Sequence, residues 1–327
     1  MDALTEANRG HAVSYGSDPW TEEAFRLLRV LFGKDCEIFL TFTGTGANVL
    51  GLSALTPPFG SVLCSSCSHI ATDECGAPER MLGCKLNMLP QTVGKVHPKD
   101  VQARLADLGV QHHNQPRVLS VTQPTELGTL YTVEEVSDLA RICHESGLLV
   151  HMDGARLSNA CAALNREPAA VTREAGVDVL TFGLTKNGAM DAEAVIVFDP
   201  GLAGELKYQR KQQMQLASKM RFLSAQFIAM LTDDLWLENA RHANAMASRL
   251  HEGVSANSGV RVEYPVEANA VFATVKESML DRLLEEQYFY TWDPAGPVVR
   301  WMASFDTTDS VIDSFVEVAN KEVLHVS

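Results

Sequence analysis

Leu148-Leu-Val-His-Met-Asp-Gly-Ala-Arg156 is an apolar run that stops abruptly at a carboxylate, a glycine and an arginine. Val177-Asp-Val-Leu-Thr-Phe-Gly-Leu-Thr-Lys-Asn-Gly188 repeats the design and stops at a lysine in a glycine-flanked turn. Short apolar runs without strict alternation read as strands covered on both faces. Working outward, similar runs occur at 36–42, 61–64, 84–89, 118–121 and 194–198. Between them lie helical patterns: one opened by Ser17-Asp-Pro-Trp-Thr-Glu-Glu23 and stopped at Gly33, one over 71–81, one over 98–108, and one opened by the capping box Thr132-Val-Glu-Glu135 and closed near Gly147. Strands alternating with helices predict an α/β fold, a mainly parallel sheet in a large domain.

Beyond residue 200 the pattern changes. Residues 201–255 are mostly helical, and strands at 260–264, 270–275 and 298–302 then mix with helices at 277–287 and 307–320. We expect a large domain over 1–230 and a smaller α+β domain over 231–327. Ligands of such a parallel sheet sit beyond the carboxyl ends of its strands.

The bulk numbers narrow the partners. The chain has 327 residues, 41 acidic against 27 basic, for a net charge of −14. Such a surface repels nucleic acid and anionic lipid, so any phosphate must be gripped locally. Seven cysteines do not form a secreted disulfide framework. Met1-Asp-Ala-Leu-Thr-Glu6 lacks the basic and apolar stretches of a signal peptide, and no apolar run is long enough to span a bilayer. The expected location is the cytoplasm.

The chemistry-bearing residues follow the apolar runs. Asp153 at a strand end can face a pyridinium nitrogen and keep it protonated, or simply cap a helix. Lys186, in its turn, can form an imine, because desolvation makes the neutral amine available; the plainer reading is a solvated surface charge. Thr43-Gly-Thr-Gly-Ala-Asn48 is a glycine loop between strand and helix whose amides can hold a phosphate. It lacks the third glycine of a dinucleotide fingerprint and the Gly-Lys-Ser/Thr of a P-loop. His69 can stack on a cofactor ring or act as a core histidine. With Cys64, Cys67 and Cys75 it could also bind zinc, at a spacing foreign to the usual sites, and we expect no metal. Arg300 on a late strand can take a carboxylate bidentately or serve a structural ion pair. Lys219 and Arg221 offer cations for a phosphate, or a solvated helix face.

His151-Met-Asp-Gly-Ala-Arg-Leu-Ser-Asn159 with Thr181-Phe-Gly-Leu-Thr-Lys-Asn-Gly188 resembles the low-specificity L-threonine aldolases of the β-eliminating lyase family, fold-type I pyridoxal phosphate enzymes. The likeness extends over nearly the whole chain: Ser14 to Trp20, Phe42 to Asn48, His69 to Pro78, Thr122 to Gly128, Leu216 to Phe222 and Pro265 to Asn269. The Thr-Lys-Asn-Gly form is similar to the branch that also acts on phenylserine.

The resemblance implies pyridoxal 5′-phosphate held by Lys186 as a Schiff base, Asp153 on its ring nitrogen, His69 on its face, and Gly44, Thr45 and Arg221 on its phosphate. It implies Arg156 and Arg300 facing anions, the substrate carboxylate first. It also implies cleavage of a β-hydroxy-α-amino acid to glycine and an aldehyde, in a homo-oligomer built as a dimer of dimers. Two departures are visible. Family chains extend upstream with a Ser-Asp motif at the cleft, whereas Met1 here matches a point inside their first helix, so the start reads as truncated. Many family members carry a histidine near residue 126, where this chain has Glu126. The base for the β-hydroxyl proton therefore stays open between Glu126, His69 and a water.

Overall fold

The structure, a computed structural model, describes residues 1–292, 296 and 298–321. The apolar runs pair into one seven-stranded sheet: β1 (Glu37–Thr41), β2 (Gly60–Ser65), β3 (Lys85–Leu89), β4 (Gln115–Thr122), β5 (Leu149–Gly154), β6 (Val179–Gly183) and β7 (Glu193–Val197). The order is β1-β7-β6-β5-β4-β2-β3. β3, β2, β4, β5 and β6 run parallel, and β7 runs antiparallel between β6 and β1. The carboxyl ends of β1, β2, β4, β5 and β6 and the start of β7 therefore share one edge.

Alternation along the strands sorts side chains onto two covered faces. Leu180 and Phe182 of β6 and Ala194 and Ile196 of β7 pack with Leu28, Phe32, Leu139 and Phe227 of the helices Pro19–Phe32, Val133–Glu145 and Arg221–Leu231. Val179, Val195 and Val197 point the other way, to Leu50 and Leu52 of the helix Gly44–Ser53. Odd-numbered residues of β5, β6 and β7 thus face the Gly44–Ser53 helix, which decides what Asp153 and Glu193 can meet.

A second sheet, antiparallel in the order β10-β11-β9-β8, comprises β8 (Val260–Val262), β9 (Ala270–Val275), β10 (Tyr290–Thr291) and β11 (Val298–Met302). Val271, Ala273, Val299 and Trp301 pack there against Leu250, Leu283 and Phe315 from the helices Leu235–Val254, Glu277–Glu286 and Asp309–Lys321. Among the described residues, no helix is long and apolar enough to cross a membrane.

Several expectations shift. The glycine loop at 43–48 is helical from Gly44, because the Thr43 hydroxyl caps the Gly46 N–H at 3.1 Å and starts the turn early. The helix expected over 71–81 breaks in two, His69–Thr72 and Ala77–Leu82, at left-handed Cys75 and Gly76. The segment 201–255 is three α-helices, Leu206–Gln212, Arg221–Leu231 and Leu235–Val254, interrupted between 213 and 220, where Met214 takes a left-handed conformation. The capping box at Thr132 forms with both of its hydrogen bonds.

Candidate active site

Asp153 is the penultimate residue of β5, beside Thr122 of β4 and Thr181 of β6. Its Oδ1 accepts from the Ala155 N–H at 3.0 Å inside the turn, and the helix that follows, Leu157–Leu164, has Arg156 at its N-cap, so Asp153 is not the helix cap it could have been. Its Oδ2 accepts from Asn48 Nδ2 at 2.8 Å, and the group is buried. Each carboxylate oxygen has a second lone pair, so the carboxylate can still accept from a protonated ring nitrogen. Gly154 is required here: a side chain would press to 2.7 Å from the Thr181 carbonyl oxygen.

Asn48 is a residue the sequence did not single out. The same Nδ2 also donates to Glu74 Oε1 at 2.8 Å, and Glu74 Oε1 meets His69 Nδ1 at 2.8 Å. The bond to Glu74 raises the His69 pKa above its ordinary value. His69, Glu74 and Asp153 are the one His/Cys/Asp/Glu group among the described residues compact enough for a metal. The Asn48 amide bridges its two carboxylates, and none of the cysteines considered for zinc belongs to it. All seven cysteines are free, Cys64 being core filler in β2.

Lys186 sits in the short 3-10 turn Thr185–Asn187 that follows β6. The turn is clamped by the Leu235–Val254 helix: Asn187 Nδ2 donates to the Trp236 carbonyl at 2.6 Å, and Asn239 Nδ2 donates to the Asn187 carbonyl at 2.8 Å. Burial lowers the Lys186 pKa, and the Arg156 charge adds to the effect. A neutral amine is the form that condenses with an aldehyde.

Gly44 opens the cleft at its other end. Within 4 Å, a side chain there would meet only the carboxyl of Glu193, at 4.0 Å. The first-turn N–H groups of Gly44 and Thr45 have no helical acceptor, so this end can hold an anion. Glu126 closes the wall beside His69: its Oε1 accepts from the His69 N–H and the Thr122 hydroxyl, each at 2.7 Å. Burial pushes its carboxyl up to about 7, and its Oε2 has no partner.

Arg156 and Arg300 supply the positive end. Burial, aided by the nearby Arg300 charge, brings Arg156 down to about 10. Arg300 reaches over from β11 with its guanidinium carbon 4.7 Å from the Trp292 ring centroid, and Trp292 abuts Phe272 edge-on at 5.2 Å. Gly44, Asn48, His69, Glu74, Glu126, Asp153, Arg156, Lys186, Trp292 and Arg300 line one cleft. Thr45 and Arg221 are not among its lining residues. Arg221 donates from Nη1 to the Gly10 carbonyl at 3.2 Å and lies over the Phe222 ring.

The sequence profile of the beta-eliminating lyases matches residues 1–278. The chain belongs to the beta-eliminating lyase family. Within it, the chain is 46% identical to the low specificity L-threonine aldolase of Pseudomonas aeruginosa over 310 residues, 93% of this chain and 88% of that one. The solved threonine aldolase of Leishmania major superposes with a TM-score of 0.94 at 30% identity, over 98% of this chain and 95% of that one. An archaeal alanine:glyoxylate aminotransferase, at 15% identity and a TM-score of 0.72 over 100% of this chain and 86% of its own, shares the fold alone. This beta-eliminating lyase has the fold-type I architecture that its sequence implies. The residues missed from sequence were Asn48, Glu74, Trp292 and Glu193. Only the pairing of Asn48 with the glycine loop, one helical turn away, hinted at any of them.

Proposed function

We propose that the chain is a pyridoxal phosphate-dependent aldolase that cleaves L-threonine, L-allo-threonine or a related β-hydroxy-α-amino acid such as phenylserine to glycine and an aldehyde. The observation that carries the reading is convergence: a desolvated lysine, a buried carboxylate and two arginines, from three separate stretches of chain, line one cleft with the free first-turn amides of the Gly44–Ser53 helix at its end. The names of the relatives in Pseudomonas and Leishmania support the same substrate class.

The cleft fits the cofactor. Gly44 leaves room for a phosphate, the Gly44 and Thr45 amides would hold it, Asp153 has lone pairs to spare for the ring nitrogen, and Lys186 would hold the aldehyde carbon. Pyridoxal 5′-phosphate, when bound, supplies an electron sink for the pair released as Cα–Cβ breaks. His69, fixed by Glu74, would cover one face and exclude water. Arg156 and Arg300 would hold the substrate carboxylate and so set the torsion that stands the Cα–Cβ bond upright. Of the candidate bases, Glu126 has the fitting acidity: a carboxyl near 7 can take the β-hydroxyl proton as the aldehyde leaves, and a proton returned to Cα completes glycine.

The wider setting belongs to the same proposal. A division near residue 230, a homo-oligomer arranged as a dimer of dimers and a cytoplasmic location all fit. Exposed Tyr15, Tyr208 and Met214 offer apolar contact area, and seven free cysteines suit a reducing compartment. Light scattering on the purified chain tests the assembly; a monomer at all concentrations counts against it.

The decisive experiment incubates purified protein with pyridoxal phosphate and L-threonine, L-allo-threonine or phenylserine, and follows aldehyde and glycine. Lys186→Ala should abolish both turnover and the visible imine band. Ammonia and pyruvate as products would replace aldol cleavage by β-elimination. Wild-type turnover in Lys186→Ala would overturn the lysine assignment.

A further inference from the structure

Glu193 is a buried carboxyl with no part in the chemistry described above. It opens β7, opposite Gly183 of β6 and Thr41 of β1. It is 4% exposed, and its Oε2 has no hydrogen-bond partner. A side chain at Gly183 would approach that oxygen to 2.5 Å, and one at Gly44 would approach it to 4.0 Å. The carboxyl therefore lies between the end of β6, where the Lys186 turn begins, and the first turn of the Gly44–Ser53 helix.

Thr185 ties it to the lysine. Its hydroxyl oxygen accepts from the Ala192 N–H at 3.0 Å, which leaves the hydroxyl proton for the Glu193 carboxyl. The groups facing Glu193 are few. The Lys186 turn contributes the amine, β5 contributes Asp153, and β1 contributes the Thr41 hydroxyl, itself unpartnered. The packed helix Gly44–Ser53 carries no ionisable side chain. Of these, only Lys186 is basic.

Burying a carboxyl with one oxygen unpaired opposes folding, so a structural role does not account for it. We propose that Glu193 is a positioning residue for Lys186, whose unpaired oxygen sets the proton affinity of the lysine nitrogen when the cofactor is attached there. This inference rests on the lysine assignment made under Proposed function. Burial pushes the Glu193 carboxyl up to about 7, so it turns from acid to carboxylate around neutrality. As a carboxylate it favours positive charge on the nitrogen. Deleting that charge should make the nitrogen lose its proton at lower pH.

The test is a pH titration of the visible absorbance of cofactor-loaded protein, with folding checked by circular dichroism. Glu193→Gln should move the spectral midpoint to lower pH by about one unit, the size expected for one nearby buried charge. Glu193→Asp, which keeps the charge but draws it back by one methylene, should move it in the same direction and by less. An unmoved midpoint in a folded Glu193→Gln protein overturns the proposal. If that variant does not fold, an unmoved midpoint in Glu193→Asp does so. Wild-type protein that gives no visible band with pyridoxal phosphate would sink the lysine assignment instead. A normal wild-type band with an unmoved variant midpoint sinks only the role of Glu193.

Discussion

Asn48 holds two carboxylates on one amide nitrogen, Glu74 and Asp153, each at 2.8 Å. Removing the amide leaves two buried acids short of a donor and close enough to repel. Asn48→Ala should destabilise the protein by about 1–3 kcal/mol and weaken pyridoxal phosphate binding about tenfold, read by thermal unfolding and spectrophotometric titration. Unchanged affinity would mean that Asp153 needs no support. Glu126 gives a pH signature. As the base, it must be ionised, so kcat/KM should rise with pH through about 7. Glu126→Gln should remove that rising limb and cut turnover about 10²- to 10⁴-fold. Stability should move the opposite way. The folded-state pKa of Glu126 and of Glu193 lies above the ordinary 4.5, so the native state holds more protons than the unfolded chain between 4.5 and about 7. Both groups therefore make stability fall as pH rises across that window, and substitution by glutamine should flatten the fall in a denaturant series.

The turn after β6 shows how an element serves the site. Gly188 has φ +116°, and a side chain there would press on Asn239 Nδ2 at 2.9 Å, the atom that clamps the turn. Gly188→Ala should cost about 1–3 kcal/mol and also displace Lys186, so the melting temperature and the imine band fall together. The Val133–Glu145 helix is a contrast. Its capping box was legible in the sequence because both of its hydrogen bonds run between residues three apart. Thr132→Ala should cost about 1 kcal/mol with kcat and KM unchanged. Loss of turnover without loss of stability would contradict that separation. The helix expected over 71–81 was mistaken for a local reason too: Cys75 takes a left-handed conformation, which its side chain does not announce.

At the scale of the molecule, the cleft is assembled between two sheets. Asp153 lies on β5 of the large sheet and Lys186 in the turn after its β6, and Arg300 comes from β11 of the small one. An arginine that holds a carboxylate equally before and during bond cleavage acts on binding. Arg300→Ala should therefore raise KM about 10- to 100-fold, while Arg156 still holds the carboxylate and with it the torsion, so that kcat changes little. A fall in kcat at constant KM would instead place Arg300 in the chemical step. Local sequence was enough for the strand–helix alternation and for the placing of Asp153 and Lys186 at the ends of apolar runs, because each is written in periodicity or in neighbouring residues. Packing, by contrast, set Asn48 between Asp153 and Glu74, brought Glu193 on antiparallel β7 next to the Lys186 turn, and put Arg221 Nη1 on the Gly10 carbonyl. Such contacts depend on strand order, on the face to which each odd or even residue points, and on where distant helices dock. Those are properties of the packed whole that no local run of residues encodes.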